Sequence, residues 1–375
     1  MPTQSFFLFG PRGTGKSTLL KQSFPSALYI DLLLNSEYMN YLNDPDRLIY
    51  FVKANPEPRI IIIDEIQRIP ALLPVVHHLM EADKSLTFIL TGSSARKLKK
   101  ESANLLGGRA MLKRMYPFTA YELGAFFDLS KALSHGLIPV IMSSDDSIQQ
   151  MDAYVSLYLK EEIQMEGLTR NIGNFSRFLE AISFSHGSVI NISNISRECA
   201  VERKVIESYI NILEDLLLSV RLPIFSKRAK RVLVSHPKFY FFDTGIYKAL
   251  RPRGPLDKPE EIDGAGLEGL VHQNLAAYID NVLPNHQLFF WRTKAGLEID
   301  FIIYGDRKFL AIEVKNAKKV NSYDLNAFRS FKEDYPMAEC ICIYRGEEKI
   351  YRNDVLLIPA KDFLVHIDKY LMKPG

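Results

Sequence analysis

The chain has 375 residues, a net charge of +3, and 47% hydrophobic and 24% charged residues. This is an ordinary globular composition, long enough for two or three domains, and its mild charge neither requires nor excludes a nucleic-acid partner. Three cysteines form no disulfide framework, and Cys340 and Cys342 have no second Cys or His pair that would complete a zinc site. No apolar run approaches the ~20 residues that span a bilayer. Because the first strand begins at once, no signal peptide is expected, and we predict a cytoplasmic protein with no membrane partner.

The first motif is GPRGTGKS at residues 10–17, between the apolar run SFFLFG and the helical run KSTLLKQSF. It fits the phosphate-binding loop pattern, in which glycines turn backbone N–H groups toward anionic oxygens. Lys16 would reach the β- and γ-phosphates, and the Ser17 hydroxyl would hold Mg²⁺. The motif therefore predicts an ATP site whose contacts are Gly10, Pro11, Arg12, Gly13, Thr14, Gly15, Lys16, Ser17 and Thr18.

A second apolar run, RIIIIDE, ends in two carboxylates at Asp64 and Glu65. Unbroken apolar runs are typical of parallel strands that are buried on both faces, and ligands bind at the carboxyl ends of such strands. Asp64 is placed to hold the Mg²⁺ shell, and Glu65 is placed to orient the attacking water. These acids indicate ATP hydrolysis in addition to ATP binding.

The next apolar run, LTFILTGSS, has polar residues at its tip. Ser93 or Ser94 would lie near the γ-phosphate as a sensor, and the alternative is a plain strand end. Arg109, in LLGGRAM, is a candidate arginine finger that acts in its own subunit or in a neighbouring one. The alternative for the surrounding basic residues is a solvated face. An oligomer is left open.

The motifs GPRGTGKST, IIIIDEIQRIP, ILTGSSARKL, GGRA and MYPFTAYEL together resemble the AAA_14 type of ATPase, over roughly the first 165 residues. The resemblance implies an α/β fold, a P-loop NTPase of the AAA/ASCE type with a parallel sheet. It implies nucleotide and catalytic roles for Lys16, Ser17, Asp64 and Glu65, a sensor role for Ser93 and an arginine-finger role for Arg109. That family usually carries a DUF4143 module at its C-terminus.

Residues 166–234 contain a short helical run, a longer one and an alternating stretch, which predicts a winged helix. Phosphate contacts with DNA are expected from basic residues at the start of the longer helix and in the wing. The alternative is an internal lid or a protein contact. These basic residues are Arg203, Lys204, Lys227, Arg228, Lys230 and Arg231.

The last predicted site combines LEIDFIIY, which contains Asp300, with FLAIEVK, which contains Glu313 and Lys315. Residues two apart on a strand share a face, so Glu313 and Lys315 are expected together, with Asp300 beside them on a hairpin partner. Two carboxylates can hold Mg²⁺ or Mn²⁺, the lysine can orient water, and Glu268 on the preceding helix can complete the metal shell. His272, one turn after Glu268, is expected on the helix surface.

This acid…E-x-K pattern resembles the PD-(D/E)xK nuclease fold, and its surroundings, GLEGLVHQNL and FFWRTKAGLEIDFII, resemble DUF4143 over about residues 235–345. The resemblance implies a nuclease-like α/β domain, similar to restriction endonucleases, with its site at Glu268, Asp300, Glu313 and Lys315. The FFDTG stretch, with Asp243, is typical of that module and has no derived role. The predicted domains are 1–165, 166–234 and 235–375.

The predicted function is ATP binding and hydrolysis that couples nucleotide state to DNA engagement through the winged-helix and nuclease-like domains. One alternative is a non-cleaving ATP-dependent switch that binds DNA or a protein partner. The other is an ATP-dependent metal nuclease that acts in DNA defence.

Overall fold

The computed structural model of the chain describes residues 4–57, 59–94, 110–158, 172–227, 236–255 and 257–372. The chain divides into two compact units, one of residues 1–116 with 215–217 and the other of residues 117–214 with 218–375. Residues 117–158 therefore group with the second unit, whereas the predicted first domain extends to residue 165. The division into three domains stays a prediction. Four predicted site or wing residues lie outside the described ranges: Arg109, Arg228, Lys230 and Arg231.

The first unit contains a five-stranded sheet in which every described pair of neighbouring strands is parallel. The strand order is β2-β3-β4-β1-β5, so β4 lies between β1 and β3. The elements are β1 (Phe6–Phe9), α1 (Lys16–Ser23), β2 (Leu28–Asp31), α2 (Asn35–Asn43), α3 (Arg47–Ala54), β3 (Ile60–Asp64), α4 (Leu72–Ala82), β4 (Thr87–Gly92) and β5 (Met111–Arg114).

The sequence of strand β1 does not alternate between apolar and polar residues, because both faces of the strand are buried. All four residues are buried, with Phe7 and Phe9 in one hydrophobic cluster and Phe6 and Leu8 in another. Because successive side chains of a strand point to opposite faces, an apolar run of this kind is covered on both sides. The prediction of a doubly covered parallel sheet is confirmed.

The second unit begins with short helices and continues into a three-stranded antiparallel sheet of order β6-β8-β7. Strand β8 is central, and its partners at Lys238 are Val189 and Leu222. The elements are α5 (Ala120–Leu123), α6 (Leu129–His135), α7 (Pro139–Met142), α8 (Ser147–Ala153), α9 (Ile172–Ser183), β6 (Ser188–Val189), α10 (Ile192–Cys199), α11 (Arg203–Asp215), β7 (Ser219–Leu222) and β8 (Lys238–Phe241).

The same unit ends in a six-stranded mixed sheet of order β13-β14-β12-β11-β10-β9. Strands β9, β10 and β11 are antiparallel neighbours, whereas β11 pairs with β12 in parallel. The elements are α12 (Thr244–Leu250), α13 (Pro259–Val282), β9 (His286–Arg292), β10 (Glu298–Gly305), β11 (Phe309–Lys315), α14 (Asn326–Asp334), β12 (Glu339–Tyr344), β13 (Ile350–Arg352), β14 (Val355–Pro359), α15 (Ala360–Val365) and α16 (Ile367–Leu371).

Asp243 of the FFDTG stretch has a structural role in this unit. Its buried carboxylate caps α12 by accepting from the backbone N–H of Gly245 at 2.8 Å, and it also accepts from the N–H of Leu137 at 2.8 Å. Gly136 has φ +72 and lies so close that an added Cβ would be 1.8 Å from Asp243 Oδ1. Burial raises the Asp243 pKa to about 6. The motif therefore fastens α12 to the turn after α6.

No helix in the ranges that the structure describes is both long enough and apolar enough to cross a lipid bilayer.

Candidate functional site

The loop between β1 and α1 has the backbone of a phosphate-binding loop. Gly15 caps α1 with φ 90, a left-handed conformation that glycine adopts without a steric penalty. The Lys16 ammonium donates to the carbonyl oxygens of Gly10 at 2.7 Å and Pro11 at 3.2 Å, and it therefore lies across the loop. Thr14 closes the turn with a 2.7 Å bond to the same Pro11 oxygen. Arg12 and Thr18, the other predicted contacts, are exposed beside the loop.

Asp64, at the end of β3, is held by three hydroxyl groups. Ser17 donates to Asp64 Oδ2 at 2.6 Å, Tyr29 of β2 donates to the same oxygen, and Thr91 of β4 donates to Oδ1. Burial and the bond to Asp64 raise the pKa of the Tyr29 phenol well above its usual range. Tyr29 and Thr91 are additional site residues that sequence reasoning missed, because their positions beside Asp64 follow from strand order.

Glu65 occupies a strained position directly after Asp64. Its φ is 61, a left-handed value that costs a non-glycine residue about 1–3 kcal/mol and that often occurs at functional sites. The Glu65 N–H donates to Thr91 Oγ1 at 3.2 Å. The Gln67 amide donates to Glu65 Oε2 at 2.5 Å and to Ser93 Oγ at 3.1 Å. The strand ends of β3 and β4 are thus joined through one side chain.

These oxygen atoms fit a nucleotide-bound Mg²⁺. Hydroxyl and carboxylate oxygens are the donors that this cation takes in proteins, and those of Ser17 and Asp64 lie 2.6 Å apart at the end of the phosphate loop. Bound Mg²⁺ would neutralise charge on the phosphates. Ser93 is buried, and its Oγ lies 3.5 Å from Glu65 Oε2, so the predicted sensor and the predicted water-orienting acid are neighbours.

A second cluster of charges surrounds Lys238 in the other unit. The Lys238 side chain is fully buried, and its ammonium contacts three carboxylates, at 2.9 Å from Glu268, 2.5 Å from Glu298 and 3.0 Å from Asp300. Glu268 also accepts from the Tyr240 hydroxyl at 2.6 Å. Burial and the neighbouring Asp300 charge raise the Glu268 pKa to about 7. Sequence reasoning predicted Glu268 and Asp300 but missed Lys238 and Glu298.

Glu313 and Lys315 pair with each other on β11. The Lys315 ammonium donates to Glu313 Oε1 at 2.6 Å, and the Val314 N–H between them donates to Asp300 Oδ2 at 2.9 Å. Burial and the Asp300 charge raise the Glu313 pKa well above its usual range, and its buried Oε2 has no hydrogen-bond partner within the described part of the chain. The carboxylates that the sequence predicts as one site are therefore divided between two lysines.

This arrangement does not fit a divalent metal. Among the described residues, no three or more His, Cys, Asp or Glu side chains are grouped so that they could hold a metal ion. Lys238 occupies the space between the carboxylates of Glu268 and Asp300, while Glu313 contacts Lys315. The metal set Glu268, Asp300 and Glu313 remains a prediction that this geometry does not support.

His272 lies in the core, so its expected position on the helix surface is wrong. The side chain is buried, and its ring stacks on Tyr240 with a centroid distance of 4.3 Å and an angle of 1°. Burial, with the nearby Lys238 charge, lowers the His272 pKa to about 3. The helix α13 that carries it is covered along most of its length, and the four-residue offset from Glu268 did not reveal this.

The described basic residues of the predicted winged helix differ in their surroundings. Arg203 and Lys204 are exposed at the start of α11. Lys227 is also exposed, and its ammonium lies 4.5 Å from the centroid of the Tyr304 ring, a cation–π distance. The described cations most available to an anionic partner in this region are therefore those at the start of α11.

A phosphate loop after β1 and an acid after β3, with β4 between these strands, define an AAA-type ATPase domain. The AAA domain family AAA_14 matches residues 3–124. Two domains of unknown function follow, DUF8612 over residues 127–257 and DUF4143 over residues 263–363. The predicted resemblance to proteins that join AAA_14 to DUF4143 is confirmed.

Relatives of similar extent occur in two bacteria. The uncharacterized protein Rv2008c of Mycobacterium tuberculosis is 27% identical over 95% of this chain and 80% of its own length. An uncharacterized protein of Haemophilus influenzae is 24% identical over 87% of this chain and 86% of its own length. Neither name states an activity.

Two solved structures match parts of the chain at low sequence identity. The Aeropyrum pernix ORC2 protein, solved as ADPNP and ADP complexes, covers 73% of this chain and 89% of its own, with 12% identity and a TM-score of 0.38. The replication initiator DnaA, bound to AMPPCP and single-stranded DNA, covers 56% of this chain and 82% of its own, with 12% identity and a TM-score of 0.29.

Proposed function

We propose that the chain binds ATP with Mg²⁺ and hydrolyses it, and that nucleotide state controls its engagement of DNA. The observation that carries the ATPase part is the hydrogen bond from Ser17 to Asp64, 2.6 Å long, which joins the phosphate loop to the acid of β3. Glu65 follows directly and would orient the attacking water, with Ser93 beside it as the sensor. The Arg109 finger remains part of this proposal and lies outside the described residues.

The chain's own groups have separate parts in this reaction. Lys16 would leave the Gly10 and Pro11 carbonyl oxygens and contact the β- and γ-phosphates, where its charge stabilises the transition state. Bound Mg²⁺, held through Ser17 and Asp64, would offset the negative charge of the phosphates. Glu65 would accept a hydrogen bond from the water in line with the γ-phosphate. Because the chain supplies a group for each of these roles, we expect it to hydrolyse ATP.

The ATPase proposal is tested with two substitutions and matched surface controls. Lys16→Ala should abolish ATP binding, whereas Lys53→Ala, at an exposed lysine of α3, should not. Glu65→Gln should retain ATP binding and lower kcat about 100-fold or more, whereas the exposed Glu57→Gln should leave kcat unchanged. Binding is measured with a fluorescent ATP analogue and turnover by phosphate release. Tight binding by Lys16→Ala, or full turnover by Glu65→Gln, would contradict the proposal.

The DNA part rests on the elements between residues 172 and 241. They run α9, β6, α10, α11, β7 and β8, with a three-stranded sheet of order β6-β8-β7, which supports the proposed winged helix. In that fold the second helix of the helix-turn-helix contacts DNA, and here α11 begins with the exposed cations Arg203 and Lys204. We infer phosphate contacts at this helix start, with DNA as the partner.

Charge reversal distinguishes this interface from another basic surface of the same unit. Arg203→Glu combined with Lys204→Glu should weaken DNA binding about tenfold or more and reduce its dependence on salt. The matched pair Lys318→Glu and Lys319→Glu reverses two adjacent, exposed lysines after β11. Fluorescence anisotropy with a labelled duplex, with ATP, ADP or no nucleotide, measures both. A loss of binding in the second pair alone would place DNA on the C-terminal sheet instead. Absence of DNA binding by the wild type would favour a protein partner.

The DUF4143 module is proposed to have a nuclease-like fold. A helix, three antiparallel strands, a helix and a fourth strand parallel to the third occur in succession as α13, β9, β10, β11, α14 and β12. Asp300 and Glu313 lie on neighbouring strands of this set, as the resemblance implies. The fold supports a role in contacting DNA.

A further inference from the structure

We propose that the DUF4143 module of this chain is a metal-free and non-cleaving variant of the nuclease-like fold, in which the Lys238 ammonium takes the place of the divalent cation. The inference rests on the proposed nuclease-like fold of the module and is independent of ATP hydrolysis. It assigns Lys238 a position that no sequence motif marked.

The contacts of Lys238 satisfy the whole ammonium group. A lysine has three N–H donors, and three carboxylate oxygens lie within 3.0 Å of Nζ, from Glu268, Glu298 and Asp300. The side chain has no exposed surface, so protein atoms alone surround this cation. One ammonium thus fills the position between the acids that the metal-binding prediction gave to Mg²⁺ or Mn²⁺.

Two further carboxylate oxygens of the predicted metal set are also engaged, whereas Glu313 Oε2 is buried and has no hydrogen-bond partner among the described residues. Asp300 Oδ2 accepts from the Val314 N–H at 2.9 Å, and Glu313 Oε1 accepts from Lys315 at 2.6 Å. Mg²⁺ requires near-octahedral oxygen coordination at about 2.0–2.1 Å and usually keeps several waters. A metal between Glu268 and Asp300 would require Lys238 to leave the cluster, which would leave a buried ammonium without a partner. The resident lysine therefore excludes a metal from the space between Glu268 and Asp300.

The lysine also gives these acids a structural purpose. Lys238 belongs to β8, the central strand of the three-stranded sheet, whereas Glu268 lies on α13 and Asp300 on β10. The ion cluster therefore fastens the strand next to the proposed wing to the nuclease-like module. A site that cuts DNA in other proteins of such a fold would here hold two modules together.

Metal binding by the wild-type chain is the first test. Electron paramagnetic resonance counts bound Mn²⁺ without nucleotide, in the wild type, in Asp300→Asn and in Asp64→Asn. Any bound Mn²⁺ should be lost in Asp64→Asn and retained in Asp300→Asn. A Mn²⁺ site lost in Asp300→Asn, in a chain whose circular dichroism is unchanged, would overturn the proposal. The proposal would also be overturned if the wild type nicked supercoiled DNA in Mg²⁺ or Mn²⁺ and Asp300→Asn abolished this nicking.

Substitution of the lysine is the second test, with a matched control on the same unit. Lys238→Met should lower the Tm by about 10 °C because it leaves three partly buried carboxylates without their cation. Millimolar Mn²⁺ should then raise the Tm of this variant and leave the wild-type Tm unchanged. Lys308→Met is the control, since Lys308 is also buried but pairs with the single, exposed Glu339 at 2.8 Å. If Lys238→Met had the same Tm as the wild type, the proposal would be overturned. If this variant does not fold, the measurement of Mn²⁺ binding by the wild type decides.

These outcomes are separable from the ATPase proposal. Phosphate release from ATP depends on Lys16 and Glu65 in the first unit, whereas metal binding and cleavage depend on the cluster around Lys238. A chain without ATPase activity would refute the proposed function and leave this inference intact.

Discussion

The Gln67 amide nitrogen lies 2.5 Å from Glu65 Oε2, and it also donates to Ser93 Oγ at 3.1 Å. One buried side chain therefore links the acid after β3 to the predicted sensor after β4. The other Gln67 amide atom, Oε1, is buried and has no hydrogen-bond partner among the described residues. It lies where a Cβ on Gly92 would approach to 2.4 Å. Gln67 is thus fixed by packing and positions Glu65.

Replacement of Gln67 by Ala should lower kcat for ATP hydrolysis about 10–100-fold while the KM for ATP stays within about twofold, because Glu65 loses a group that orients it. Gln22→Ala, at an exposed position of α1, is the matched control and should keep wild-type kinetics. Steady-state phosphate release measures both constants. A Gln67→Ala enzyme with normal kcat would show that Glu65 does not depend on this contact.

Tyr29→Phe should weaken the apparent affinity for the Mg²⁺ that supports ATP hydrolysis. The variant removes one hydroxyl that donates to Asp64 and leaves the ring, and loss of such an orienting partner typically reduces metal affinity about tenfold or more. The midpoint of a Mg²⁺ titration at saturating ATP should therefore rise, with little change in maximal rate. Tyr50→Phe removes an exposed hydroxyl in the same unit and is the control. An unmoved midpoint would assign Tyr29 to packing alone.

The site residues differ in how far the sequence predicted them. The phosphate loop and the acids of β3 were predictable because each is a contiguous motif with an apolar strand before it. Lys238 was not, since it is 62 residues from Asp300 in the chain and meets it through the packing of β8 against the C-terminal sheet. Tyr29 was missed for the same reason, because it is 35 residues from Asp64 in the chain. Gln67 is close to Glu65 in the chain and was missed because it forms part of no known motif spacing. Asp300 and Glu313 were predicted as site residues because a charge inside an apolar strand is costly without a partner. Their pairing with lysines could be identified only from the tertiary structure.

Asp243→Ala should destabilise the second unit by about 3 kcal/mol, because it removes the cap of α12 and leaves the buried Leu137 N–H without its acceptor. Asp128→Ala is the matched control. Asp128 caps α6 through the N–H groups of Ser130 and Lys131 at an exposed site, so its loss should cost about 1 kcal/mol. Urea unfolding followed by Trp291, the single tryptophan, reports on this unit. Equal losses in both variants would refute a fastening role for Asp243 beyond the cap.

His272 should make the second unit less stable in acid. Its folded pKa is about 3 and its ordinary value is 6.5, so below pH 6.5 the unfolded chain binds a proton that the folded chain refuses. The stabilisation is present above pH 6.5 and is lost as the pH falls toward 3. Between pH 7.5 and 4.5 this amounts to roughly 2–3 kcal/mol from one group.

Substitution isolates this contribution from the other titrating groups around it, which include Lys238, Glu268 and His186. His272→Phe removes the titration and keeps an aromatic ring against Tyr240. The free energy of unfolding of this variant should therefore fall by roughly 2–3 kcal/mol less than that of the wild type between pH 7.5 and 4.5. Urea unfolding monitored by Trp291 fluorescence at both pH values measures the difference. His236→Phe, at an exposed histidine of the same unit, should leave the pH dependence as in the wild type. Equal slopes for His272→Phe and the wild type would mean that His272 takes up its proton without unfolding.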